Sequence, residues 1–156
     1  MKVENHKLLI HKKMTIQEIE NQIINEFSNF EDWLDKYNYI IELGKDCPVI
    51  DEKDKVNENL IKGCQSKVWL SAKLEEGRIR FRADSDAVIT RGIVSLLIRT
   101  FDNQTPADIL SADISFIEKI GLKEHLSPTR SNGLTAMLKQ IKIYALAFQT
   151  LTQNQQ

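Results

Sequence analysis

Cys64 stands in the string Lys62-Gly63-Cys64-Gln65-Ser66-Lys67, flanked by two cations and two side chains able to donate hydrogen bonds. A thiol reacts as its thiolate, and an unperturbed cysteine, with a pKa of about 8.5, is mostly protonated at neutral pH. Lys62 and Lys67 would raise the ionised fraction, Gln65 and Ser66 would hydrogen-bond an anionic sulfur, and Gly63 would let the segment flex. The competing reading is a small buried hydrophobe, the commonest fate of a free cysteine. The glycine and the polar neighbours weigh against it, because a core position normally sits inside an apolar alternation. Cys47, between Asp46 and Pro48, has no such donors and reads as incidental.

His125, in the string LKEHLSPTRSNGL, could serve Cys64 as a general base, as in thiol hydrolases, or could be a solvated loop residue. Arg130 offers a planar fork suited to a carboxylate or a sulfur anion, and a helix dipole does not favour a cation in the first turn it would occupy. Cys47, Cys64 and His125 show no paired ligand spacing, so no metal site is expected. No phosphate loop or dinucleotide fingerprint is present.

These residues have to be positioned by the elements around them. Thr15 and Glu18 have capping-box spacing, and Ile16, Ile19, Ile23, Ile24 and Phe27 recur on one face of a first helix. Ser28 and Glu31 repeat that spacing ahead of a second helix with Trp33, Leu34, Tyr37, Ile40 and Ile41 as its buried stripe and Gly44 as its stop. A polar crossing loop follows, then a short strand around Leu60 and Ile61. Val68, Leu70, Ala72 and Leu74 alternate with polar or amphipathic residues, as do Ile79, Phe81 and Ala83 with Arg78, Arg80 and Arg82. This predicts an antiparallel hairpin with a basic outer face, which reads as a solvated strand face or as a partner-binding patch.

Asp84 to Asp86 are expected to cap a helix bearing Val88, Ile89, Ile93, Leu96 and Leu97, with Gly92 allowing a close neighbour. Thr105-Pro106 and Ser127-Pro128 should each open a helix, with another from Phe116 to Ile120 ending at Gly121. Leu134, Met137, Leu138, Ile141, Ala145 and Phe148 share one face of the last helix.

The chain has 156 residues, 42% hydrophobic, which suits one core. Residues 1–13 are expected to be a flexible extension, 14–150 the domain and 151–156 a frayed tail. With 21 Lys+Arg against 22 Asp+Glu, no global field favours nucleic acid or an anionic membrane, so partners must be met by local patches. Two cysteines make no disulfide framework, and Leu8 to Ile10 is too short an apolar run for a signal peptide or a span. A cytoplasmic protein is expected.

The strings GCQSKVWL (63–70), ADSDA (83–87), Arg91-Gly92 and GLKEHLSPTRSNGL (121–134), in this order, closely resemble the SufE family over about residues 16–147. The resemblance implies an α+β fold like the IscU and NifU N-terminal scaffolds, with a small antiparallel β-sheet packed with helices. It aligns Cys64 with the family's sulfur-accepting cysteine. It also implies that Gly63, Gln65, Ser66, Asp84, Ser85, His125, Arg130 and Ser131 frame the thiol or meet the partner. The implied function is a carrier that takes persulfide sulfur from a SufS-type cysteine desulfurase, stimulates it, and delivers sulfur to a SufB-containing SufBCD scaffold for iron–sulfur cluster assembly. Pyridoxal phosphate would belong to the desulfurase and this chain would need no cofactor; a homodimer is left open. Scaffolds of the IscU type hold a cluster with three cysteines, whereas this chain has one in the matching loop, so a carrier fits better. The rivals are a noncovalent desulfurase-binding regulator and a Cys64/His125 hydrolase. As a carrier, Cys64 is expected to shelter in an apolar hollow between the hairpin and its neighbouring helices, and to swing out on docking.

Overall fold

The computed structural model describes residues 14–154, so the predicted extension 1–13 and the last two residues of the predicted tail, 155–156, lie outside the described residues. Helix α1, Ile16–Phe27, begins with the predicted capping box: the Thr15 hydroxyl accepts from the Glu18 N–H while the Glu18 carboxylate accepts from the Thr15 N–H. Its apolar face buries Ile16, Ile19, Ile23 and Phe27.

Helix α2, Trp33–Gly44, is capped by Asp32 rather than by Ser28. Ser28 still has helical dihedrals and its N–H bonds Ile24, so it closes α1 and cannot open α2. Leu34, expected in the buried stripe, is 62% exposed. Gly44 ends α2, yet its packing explains the glycine: a Cβ there would lie 2.9 Å from the Gly92 backbone nitrogen.

After short 3-10 turns at Glu52–Asp54 and Asn57–Asn59, strands β1 (Val68–Glu75) and β2 (Arg78–Ser85) pair antiparallel, Val68 opposite Ser85 and Glu75 opposite Arg78. Glu76 (φ 50) and Gly77 (φ 79) both adopt the left-handed conformation that a tight hairpin turn of the favoured hand requires. Val68, Leu70, Ile79, Phe81 and Ala83 are buried, and Arg80 and Arg82 face solvent. The strand expected at Leu60-Ile61 reduces to a single bridge, Leu60 with Trp69, because the chain turns away at Gly63 (φ +96).

Helix α3, Val88–Phe101, lies across the inner face of the hairpin and against α2. The expected carboxylate caps are engaged elsewhere: Ala87 is the N-cap, and the Ser85 hydroxyl accepts the Ala87 N–H at 3.2 Å. Val88 is 60% exposed, not buried as its spacing predicts. Gly92 is the most crowded of the glycines, since a Cβ there would sit 2.1 Å from the Ile40 carbonyl oxygen.

Helix α4 (Pro106–Ser111) is opened by Thr105, and α5 (Phe116–Lys119) is followed by left-handed Gly121 (φ +80). One turn of helix, α6 at Leu122–His125, was hidden in a string that reads as a loop. Helix α7, Pro128–Asn154, buries Leu134, Met137, Leu138, Ile141 and Ala145 as predicted, with Phe148 packed partly against the core. Residues 151–154, expected to fray, continue this helix and are exposed. Among the described residues no helix is long and apolar enough to cross a membrane.

Candidate functional site

Cys64 sits on a short loop closed at its base by two backbone links. The Ile61 N–H donates to the Val68 carbonyl at 2.8 Å, and Asp86 holds Lys67 from both sides, its side chain accepting the Lys67 N–H at 3.0 Å and its own N–H donating to the Lys67 carbonyl. Residues 62–66 therefore form a loop between fixed ends, with Gly63 in a conformation that strains any other L-residue. The half-buried thiol turns toward α7 and donates to the Gly133 carbonyl, with sulfur and oxygen 3.6 Å apart. A Cβ on Gly133 would lie 3.4 Å from Cys64 Sγ, so the missing side chain makes the seat for the sulfur.

Beside the thiol is a cavity of about 70 Å³ lined by Cys64, Gln65 and Ser66 of the loop, Thr90 and Ile93 of α3, and Thr129, Arg130, Gly133 and Met137 of α7. The expected hollow exists, with two corrections. Its walls are the helices α3 and α7, not the hairpin, and Thr90, Thr129, Arg130, Gln65 and Ser66 make it only partly apolar. Burial pushes the Cys64 thiol above its ordinary pKa, and the flanking lysines, both exposed, do not offset it. Burial thus favours the protonated thiol at rest, contrary to the activation expected from Lys62 and Lys67. Burial pushes the Cys47 thiol further, to about 11, with the Asp84 charge adding to the rise and Arg91 opposing it.

Of the residues singled out by sequence, Gln65, Ser66 and Arg130 share the cavity with Cys64. Arg130 is held by Tyr37, whose hydroxyl accepts from Nη1 at 3.3 Å and whose ring lies 6.0 Å from the guanidinium carbon. Asp84 and Ser85 do not line the cavity. Asp84 binds Lys55 Nζ at 2.7 Å and Arg91 Nε at 2.9 Å, and Arg91 also donates to the Ser85 carbonyl. Burial alone would raise the Asp84 pKa, but Lys55, the Ser85 N–H and Arg91 hold its carboxyl below the ordinary value. This cluster fixes the junction between β2 and α3 and so acts on the cavity wall at one remove.

His125 is also elsewhere: its Nδ1–H donates to the Gly121 carbonyl at 2.8 Å and its ring stacks on Trp33 at 4.4 Å, away from the cavity lining. Ser131 is half-buried in the first turns of α7, its carbonyl accepting from the Thr135 hydroxyl, and it too lies outside the lining. Sequence reasoning missed Thr90, Gly133 and Asp86. Asp86 lies inside the ADSDA string, next to residues that were chosen, whereas Thr90 looked like one more helix position. Among the described residues no three His, Cys, Asp or Glu side chains come together as a metal-binding group.

The arrangement defines an α+β protein with a single thiol looped over a small interhelical cavity. A hypothetical protein from Thermus thermophilus, solved in solution, has the same fold, with a TM-score of 0.71 at 21% identity over 85% of this chain and 96% of that one. The family model described as SufE, Fe-S metabolism associated domain, matches residues 21–145. The chain belongs to the SufE family, and its domain is associated with iron–sulfur metabolism.

Proposed function

We propose that this protein is a persulfide carrier, taking sulfane sulfur onto Cys64 from a SufS-type cysteine desulfurase and passing it to a SufB-containing SufBCD scaffold. The observation that carries the reading is the seat of Cys64: a thiol on a loop with fixed ends, beside a cavity with room for one small group. A site of about 70 Å³ is several times the roughly 10–15 Å³ that holds one water, enough for an added sulfur atom but not for a peptide or a bulky thioester. With His125 bonded to Gly121 and stacked on Trp33, the hydrolase alternative finds no base at the thiol among the described residues.

In the proposed step the Cys64 thiolate attacks the terminal sulfur of the desulfurase persulfide. A new S–S bond forms on Cys64 as the donor S–S bond breaks, the donor cysteine leaving as a thiolate with the electron pair. No net oxidation occurs. Because burial favours the protonated thiol at rest, docking must free it from Gly133, and the Gly63 loop supplies that movement. Clearing the donor sulfur raises desulfurase turnover. Pyridoxal phosphate belongs to the desulfurase, and the carrier needs no cofactor of its own.

Incubation with desulfurase and cysteine, followed by mass spectrometry, tests the proposal. A one-sulfur adduct is expected on Cys64; Cys64→Ser should lose both adduct and stimulation while keeping its fold, and Cys47→Ser should retain most activity. Stimulation that survives Cys64→Ser would instead establish a noncovalent regulator.

A further inference from the structure

Helix α3 carries three hydroxyl residues that are mostly buried, Thr90, Ser95 and Thr100. Ser95 donates to the Leu43 carbonyl at 3.0 Å, and Thr100 donates back along its own helix to Leu96 at 2.9 Å. Thr90 is only 7% exposed as a residue, and among the described residues its hydroxyl makes no hydrogen bond and is not sealed from solvent. A hydroxyl left uncommitted in this way is free to donate to a group that enters the cavity. Thr90 lines the cavity beside Cys64, where the other α3 side chain is Ile93 and the deepest α7 side chain is Met137. These offer an anion nothing, so Thr90 is the side-chain donor on that wall.

We propose that the Thr90 hydroxyl donates a hydrogen bond to the terminal sulfur of a persulfide on Cys64, making the cavity a binding site for a hydrodisulfide anion. This deepens the carrier reading and rests on it. A hydrodisulfide is a stronger acid than the parent thiol and is anionic at neutral pH. An anion removed from water needs donors, and its S–S bond of about 2.05 Å carries the charge away from Cys64 Sγ and into the cavity. Arg130 supplies positive charge at the exposed rim, held there by Tyr37. Thr90 keeps its proton throughout. The S–S bond made and the S–S bond broken are those of the transfer step, and the hydroxyl stabilises the product that accumulates between loading and delivery.

The test uses the full chain, loaded by inorganic polysulfide without any desulfurase. Thr90→Val keeps the side-chain shape and removes the hydroxyl, Thr90→Ala removes it with less bulk should the valine variant not fold, and Thr90→Ser retains it. Mass spectrometry follows the loss of the one-sulfur adduct under dithiothreitol, alongside iodoacetamide labelling of each unloaded protein. The adduct should be stripped about tenfold faster from Thr90→Val or Thr90→Ala than from wild type, as one charge-assisted hydrogen bond implies. Thr90→Ser and all the unloaded labelling rates should stay within about twofold of wild type on the same reasoning. Equal stripping of wild type and the hydroxyl-free variants overturns the proposal. So does unloaded labelling that accelerates as much as stripping, since that means a loosened cavity. A wild type that takes no sulfur from polysulfide overturns it too. The carrier reading fails separately, if desulfurase and cysteine leave no sulfur on wild-type Cys64.

Discussion

At the scale of single residues, burial decides what charge patterns in the sequence cannot. Lys62 and Lys67 flank Cys64 along the chain, but in the fold they are exposed and burial governs the thiol. Glu20 shows the same effect on a carboxyl. It is 2% exposed, its Oε1 has no hydrogen-bond partner among the described residues, and burial, aided by Asp113 and opposed by Lys119, raises it from 4.5 to about 7. Below pH 4.5 both folded and unfolded chains hold the proton; between there and about 7 the unfolded chain releases it first, so stability falls as pH rises through that window. Glu20→Gln should lack this loss and, relative to wild type, gain about 3 kcal/mol across the window. Urea unfolding at both ends of it measures the difference, and parallel pH profiles for the two proteins would refute the assignment. The loop placement of Cys64 was legible in sequence because small and polar neighbours mark a loop. For His125 the sequence left a base or a solvated loop residue open, because chain distance says nothing about the Trp33 stack that occupies its ring.

At the scale of elements, local signals were read well wherever the local chain decides the outcome. The Thr15-Glu18 box, the hairpin alternation and the Thr105-Pro106 start each depend on a few consecutive residues, and each appears in the fold. The Ser28-Glu31 and Asp84-Asp86 caps failed because those side chains or backbones had stronger engagements: Ser28 finishes α1, Asp84 binds Lys55 and Arg91, and Asp86 holds Lys67. The α2–α3 contact was half legible, since Gly92 announced a close neighbour but could not name Ile40 and Gly44. Gly92→Ala should cost about 2–3 kcal/mol and lower Tm by roughly 5–10 °C, because its Cβ meets backbone that cannot step aside. A thermal melt within a degree or so of wild type would show that α2 slides away freely. Gly77→Ala, with nothing within 4 Å, offers a contrast, strained by its turn conformation and not by crowding.

At the scale of the whole molecule, the two thiols occupy different environments and should react on different schedules. Iodoacetamide should label Cys64 slowly at neutral pH and increasingly fast toward alkaline pH, since burial raises its pKa. Cys47, buried and raised to about 11, should stay unlabelled until the chain unfolds. A desulfurase lacking its own active-site cysteine should accelerate labelling of Cys64 alone. Labelling of the free protein as fast as an unstructured peptide would exclude a sheltered thiol. The α+β class, most of the helix faces and a hollow beside Cys64 could be read from the chain, but the walls of that hollow could not, because they are assembled from loop, α3 and α7 residues far apart in sequence. One turn of α3 gathers these demands: Thr90 and Ile93 face the cavity, Arg91 grips Asp84, and Gly92 touches Ile40. Neighbouring positions there should therefore tolerate replacement by unrelated rules, hydroxyl at 90, cation at 91, no side chain at 92 and an aliphatic at 93, so that a saturation library would read this turn as four separate alphabets.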